Sequence, residues 1–173
     1  PRLQRRLRRV QMRTVADKAD VAVGTLYRYF PSKVHLLVTA LAREFERVES
    51  KVDRSQLRGG DTAIDRLRHV LDMITFAMQR DPLLTEAMTR AFMFADASAT
   101  AEVDQVAGII DRLLAGAIVE EGEPTEEDLA IARVLSDVWM SNLVQWLTRR
   151  ASATDVTNRL ELTVKLLLKD RAN

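Results

Sequence analysis

Residues 13–33, RTVADKADVAVGTLYRYFPSK, constrain the fold more than any other stretch of the chain. Val15, Ala16 and Ala19 recur at intervals of three and four, which marks one face of a short helix ending near Ala19. A second helix is expected over Val23–Tyr29, which leaves Asp20, Val21 and Ala22 to reverse the chain. Aspartate is one of the few non-glycine residues that enter the left-handed region at modest cost, so the reversal is placed at Asp20, with Val21 pointing inward. Leu26 and Phe30 are four apart and face the core, and Thr25, Tyr27, Arg28 and Tyr29 are left on the outer side. Pro31 stops this helix because its ring cannot continue the hydrogen-bond ladder. Ser32 is the expected N-cap of the next helix, with Lys33 in its first turn, where exposed N–H groups and the lysine charge together favour a phosphate.

Hydroxyls, phenols and a guanidinium all donate to phosphate oxygens, and arginine also makes bidentate contact with the major-groove edge of guanine. Taken singly, Tyr27, Tyr29 and Phe30 fit an ordinary bundle core better than a binding face. The combination VGTLYRYFPSK is more specific: it resembles the recognition helix and the following Pro-Ser-Lys of the TetR family of bacterial transcriptional regulators. The resemblance implies that Arg13, Val23, Gly24, Thr25, Tyr27, Tyr29 and Lys33 lie at double-stranded operator DNA, and the outward placement of Arg28 adds it to the same candidate face. Two positions depart from the common family pattern, which has glycine and serine where this chain has Asp20 and Ala22. The segments PLLTEAMTRAFMFADASA, EVDQV and SDVWMSNLVQWLTRRASATDV further resemble the actinobacterial members that repress cholesterol-catabolism genes.

The net charge of +1 hides an asymmetry. Residues 1–58 hold 14 lysines and arginines against 6 carboxylates, a balance of +8, whereas the remaining 115 residues hold 12 against 19, a balance of −7. A basic head on an acidic body suits nucleic acid, because cations displace the counterions condensed on phosphate while the body is kept off the duplex. An anionic membrane surface is a weaker match, since no long amphipathic helix with a lysine-rich face is present there. With no cysteine, disulfides and thiolate catalysis are excluded. No apolar run approaches the ~20 residues needed to span a bilayer, and no hydrophobic signal segment follows the basic start, so a cytoplasmic protein is expected.

An all-α fold is predicted, with a helix-turn-helix DNA-binding head and connecting helix over residues 1–52 and a helical ligand-binding and dimerisation bundle over residues 53–173. Residues 1–10, with five arginines, read as a short amphipathic helix or a basic tail. The family's first helix is longer and is followed by a glycine-containing turn, which implies residues missing before Gln11. A connecting helix is predicted over residues 33–53, with His35 a surface or phosphate-adjacent residue. Arg58-Gly59-Gly60-Asp61 reads as a linker. Capping signals at Thr62 and Asp65, Thr125 and Asp128, and Ser152 to Asp155 open three body helices; the second is expected to run to about Arg150. Others are predicted over residues 82–95 and 100–120.

The last two helices are apolar on too many sides for a lone surface pair, which predicts a twofold homodimer through them. Met73, Phe76, Met88, Phe92, Met93, Trp139, Asn142 and Trp146, with Gln145, are candidates for a ligand cavity, since methionine and aromatic side chains adapt to irregular apolar guests. The same residues are more often plain core. The resemblance implies a small hydrophobic effector, sterol-derived and carried as a coenzyme A thioester, whose binding tilts the connecting helix and releases DNA. No cofactor is expected. Two other readings stand beside it: a regulator of drug efflux with a multispecific pocket, and a helical acyl-thioester carrier that does not act on DNA. An enzyme is the weakest reading, because the two histidines, Ser136-Asp137 and Glu120-Glu121 form no catalytic or metal-binding set at readable spacing.

Overall fold

A computed structural model describes residues 11–52 and 62–169, and among them every regular element is helical. The order is α1 (Met12–Lys18), α2 (Val23–Tyr29), α3 (Lys33–Lys51), α4 (Ala63–Gln79), α5 (Pro82–Met93), α6 (Thr100–Ile118), α7 (Glu126–Leu147) and α8 (Ala153–Leu167), with one 3-10 turn, Ala97–Ala99, before α6. The all-α prediction therefore holds. The basic segment before Gln11, the Gly59-Gly60 linker and the Asp53 end of the connecting helix lie outside the described residues.

These residues form two compact units. One comprises the chain up to Arg43 with Asp81–Val106, and the other Glu44–Arg80 with the chain from Ala107 onward. In the first, Met12, Ala16 and Leu26 make a small buried cluster, against which Val15, Phe30 and Leu36 pack. In the second, Leu67, Val70, Leu71, Ile74 and Met78 form the buried stripe of α4, while α7 contributes Ala132, Leu135, Trp139 and Leu143 and α8 contributes Val156, Leu160 and Val164. Phe45 meets Trp139 edge to face, with ring centroids 5.9 Å apart at 71°, the arrangement that the ring quadrupoles favour. The Trp139 indole N–H donates to Thr75 Oγ1 at 3.2 Å, so this large ring is buried without an unmet donor. Arg66, also buried, donates from Nε to the Ala117 carbonyl at 2.9 Å and from a terminal nitrogen to the Ile118 carbonyl at 2.8 Å. A cation thus satisfies carbonyls at the negative end of α6.

The predicted caps are present as reciprocal boxes. Thr62, Thr125 and Ser152 each accept the N–H of the aspartate three residues on, and that aspartate accepts the N–H of the capping residue. At the last of these, Ser152 N–H and hydroxyl donate to Asp155 Oδ2 at 2.8 and 2.7 Å. The end of α7 departs from the expectation of a helix to Arg150. It stops at Leu147 because Arg149 enters the left-handed region at φ 59. Arg149 N–H then returns to the Trp146 carbonyl at 2.9 Å and Arg150 N–H to the Gln145 carbonyl at 2.8 Å, the paired closure of a Schellman motif. Arginine in place of the usual glycine is what hid this stop in the sequence.

Hydrogen bonds from the backbone and hydroxyl of Ser152 hold the Asp155 carboxyl below the ordinary aspartate value of 3.8. A carboxylate with a depressed folded pKa contributes stability that is present above its unfolded value and lost as pH falls through the folded one. Ser152→Ala removes the N-cap acceptor of α8 together with these donors, so it should lower the urea midpoint at neutral pH. The difference from wild type should shrink as pH falls below 3.8. Urea denaturation of both proteins across that range checks both.

Candidate nucleic-acid interface

Two backbone features set α2 against α1. Asp20 takes φ 54, as its side chain permits, and Val21 N–H reaches back to the Ala16 carbonyl at 3.0 Å. Because this backbone bond holds the reversal, the side chain at 21 is not needed inside: Val21 is 40% exposed, which corrects the inward placement expected from sequence. Leu26 alone of the α2 residues is buried, against Met12 and Ala16. With the helix pinned on that side, the other residues are presented as three i,i+4 rows: Val23 with Tyr27, Gly24 with Arg28, and Thr25 with Tyr29. Tyr27 is 47% and Tyr29 74% exposed, Val23, Gly24 and Arg28 are exposed, and Thr25 is half-buried. Two phenols without burial are an unusual face for a folded helix, and each keeps a polar tip free to donate.

Arg13 stands exposed on α1, and Lys33 opens α3 half-buried. Partial burial holds the Lys33 ammonium below the ordinary lysine value. Ala22 precedes α2 without a side-chain cap, as the absence of a hydroxyl there predicts. At Gly24, a Cβ would meet nothing within 4 Å, so no packing inside the described chain requires glycine there. His35 departs from its expected surface position: it is 6% exposed, with ring nitrogens against Ser32 and Ser98. Its partner in the turn before α6 is 63 residues away, and no local spacing signals it.

The candidate ligand residues are scattered in environment. In the second unit, Trp139 and Asn142 are buried, Met73 and Trp146 half-buried and Phe76 69% exposed. In the first unit, Met88 is buried, Phe92 half-buried and Met93 exposed. Trp139 and Trp146 are brought together: with Thr75, Gln79, Leu143 and Val156 they line a cleft of about 270 Å³. A larger cleft of about 410 Å³, open to solvent, runs between α4 and α8, past Leu71, Leu160 and Val164 and the Arg68–Glu161 ion pair at 3.2 Å. None of the ligand candidates expected from the sequence lines it. Asn142 donates from Nδ2 to the Val138 carbonyl at 2.8 Å, while its Oδ1 is buried without a protein partner, and Thr89 Oγ1 on α5 is in the same state. Buried acceptors of that kind are where a bound water or a ligand donor is accommodated. Among the described residues no cluster of three or more histidines and carboxylates is placed to hold a metal, and no helix is long and apolar enough to cross a membrane.

Comparison with known proteins agrees with this geometry. Residues 4–40 match the family model described as bacterial regulatory proteins, tetR family, and residues 60–167 match that of the tetracyclin repressor-like C-terminal domain. The HTH-type transcriptional repressor KstR of Rhodococcus jostii (strain RHA1) is 70% identical over 161 residues, covering 93% of this chain and 74% of its own. The crystal structure of a TetR transcriptional regulator from Rhodococcus sp. RHA1 superposes with a TM-score of 0.84 at 33% identity, over 96% of this chain and 88% of that one. Thermus thermophilus FadR, a TetR-family transcriptional repressor in complex with lauroyl-CoA, shares the fold, with a TM-score of 0.65 at 21% identity over 93% and 84%.

Gly24 separates folding from binding. Gly24→Ala adds a methyl into open space and removes the backbone entropy cost of glycine, so the melting temperature should stay level or rise, by the equivalent of about 0.5–1 kcal/mol. If this backbone is approached closely by DNA, the same methyl should weaken duplex binding at least about tenfold, one bidentate contact's worth. Calorimetry beside fluorescence anisotropy reads the two effects.

Proposed function

The chain belongs to the TetR family of bacterial regulatory proteins, and from that membership we propose that it is a ligand-responsive transcriptional repressor that binds a palindromic operator as a homodimer. It is a DNA-binding regulator and not an enzyme, as its family and its repressor relatives are. The observation that carries the operator reading is the outer face of α2. Tyr27, Arg28 and Tyr29 stand outward from a helix fixed by Leu26, in a segment whose first 58 residues carry the chain's excess of positive charge. In this reading Arg28 and the α2 phenols meet base edges and phosphates in the major groove, while Arg13 and Lys33 neutralise backbone phosphates. Val23, Gly24 and Thr25 allow the start of α2 to come close.

Dimerisation is supported by apolar side chains that the single chain leaves in water. On α8, Leu162 and Leu166 are exposed, Leu166 at 65%, and Val134 on α7 is exposed as well. A second copy applying the same helices would bury them in an isologous interface and set two reading heads about one DNA turn apart. The proposed effector is small, hydrophobic and sterol-derived, carried as a coenzyme A thioester. The lauroyl-CoA held by the T. thermophilus neighbour supports the thioester, and the sequence resemblance to repressors of cholesterol-catabolism genes supports the sterol. Met73, Phe76, Trp139, Asn142 and Trp146 in one unit, and Met88, Phe92 and Met93 in the other, remain proposed contacts, each set within its own unit. Among them the buried, unpartnered Asn142 Oδ1 suits a hydroxyl or amide donor on the guest. Effector and DNA would then weaken each other by the same factor.

The experiment is a titration of the protein with duplexes enriched from random-sequence DNA. Tyr29→Ala should cost about 1–3 kcal/mol of binding to the selected sequence, whereas Lys33→Ala should weaken binding to all sequences and reduce the slope of log affinity against log salt by about one. Unchanged binding in both variants would contradict the operator reading. Leu166→Glu should convert the dimer to monomer in sedimentation equilibrium, and with it lose the affinity gained by pairing two heads. A Leu166→Glu protein that still sediments as a dimer would place the interface elsewhere.

A further inference from the structure

His35 is the third residue of α3, close to the DNA-facing residues, yet its ring is buried. Nε2 lies 3.0 Å from the carbonyl oxygen of Ser98, in the 3-10 turn Ala97–Ala99 that precedes α6. Nδ1 lies 2.8 Å from Ser32 Oγ. A carbonyl oxygen can only accept, so Nε2 carries a proton and donates to Ser98. Nδ1 is then the partner of a hydroxyl, a group able to donate to a bare ring nitrogen or to accept from a protonated one, and the link closes in either charge state. Ser32 Oγ also faces the His35 backbone N–H at 3.5 Å, the capping position of α3. At the far end Asp96 fastens the turn: its Oδ1 accepts the Ser98 N–H at 2.9 Å and the Ser98 hydroxyl at 2.6 Å. Those bonds hold the Asp96 carboxyl below its ordinary range, with a smaller contribution from His35 itself.

The result is a continuous run, Asp96 to Ser98 to His35 to Ser32, that ties the corner between α5 and α6 to the first turn of α3. All four residues belong to one compact unit. Because the imidazole is buried, moving the corner relative to α3 must either carry α3 along or strand a buried donor away from water, the costlier outcome. Lys33 sits two residues before His35, and α2 ends only three residues before Ser32, with Pro31 between them fixing the backbone.

We propose that His35 is a positioning residue for DNA binding: its bond to the Ser98 carbonyl sets where Lys33 and the end of α2 stand, and makes the α5–α6 corner and the DNA face two ends of one coupled element. The inference rests on the operator-binding reading above. It adds a route, through side chains that touch no DNA, by which the corner and the duplex influence each other, and that influence must be reciprocal.

The test is amide hydrogen exchange on the full chain, free and bound to the duplex that wild type enriches from random-sequence DNA. Binding should slow exchange at Ser98 and Ala99, residues remote in sequence from α2. His35→Ala should weaken affinity for that duplex roughly tenfold, within the range of coupling between sites, and should abolish the response of Ser98 and Ala99 to DNA. His35→Gln, which restores an amide donor toward the carbonyl, should recover part of both. His35→Ala that melts and binds as wild type does would overturn the proposal. So would a wild-type protein in which Ser98 and Ala99 exchange identically with and without duplex, a result that stands even where the alanine variant fails to fold. A wild-type chain that enriches no duplex would overturn the operator reading itself, and this inference with it.

Discussion

The helix pair of α1 and α2 depends on one contact, Leu26 against Met12 and Ala16. Helices of seven residues are too short to persist alone in water, so neither α1 nor α2 owes its existence to propensity. The cluster supplies what propensity cannot, and it does so from one side of α2 only. Everything useful about the opposite side follows: phenols, a guanidinium and a bare glycine backbone point outward because Leu26 is the side chain that points in. Asp20 completes the arrangement, since a left-handed residue at that position turns the chain within the space that the Met12–Leu26 contact allows.

In the operator reading, charge and shape point to the same end of the chain. The excess of cations in the first 58 residues supplies a sequence-independent attraction, and the face of α2 offers groups that read base edges. In that reading the acidic remainder disfavours association through the rest of the chain. A further consequence is that α3 serves two masters: its start carries Lys33 and the buried His35, and its end carries Phe45 into the aromatic contact with Trp139.

Features with local causes were legible in the sequence. Pro31, the three capping boxes and the left-handed Asp20 each depend on residues within a few positions, and the apolar spacing of α4, α7 and α8 matched their buried stripes. What could not be read had distant or unusual causes. His35 is buried because of a carbonyl 63 residues away. Val21 is exposed because a backbone bond does the work assigned to its side chain. The α7 stop was masked by an arginine in a conformation that normally selects glycine. For the effector site, an apolar periodicity marks residues that face inward without distinguishing packed core from cavity wall, so neither the exposure of Phe76 and Met93 nor the cleft between α4 and α8 is legible from it.

A crystal structure of the protein on its enriched duplex would show whether the outer face of α2 reads operator DNA. Two chains related by a twofold axis are expected, each with Tyr27, Arg28 and Tyr29 in the major groove and Lys33 within hydrogen-bonding distance of a phosphate oxygen. A complex in which α2 faces solvent while another surface of the chain holds the duplex would contradict that reading.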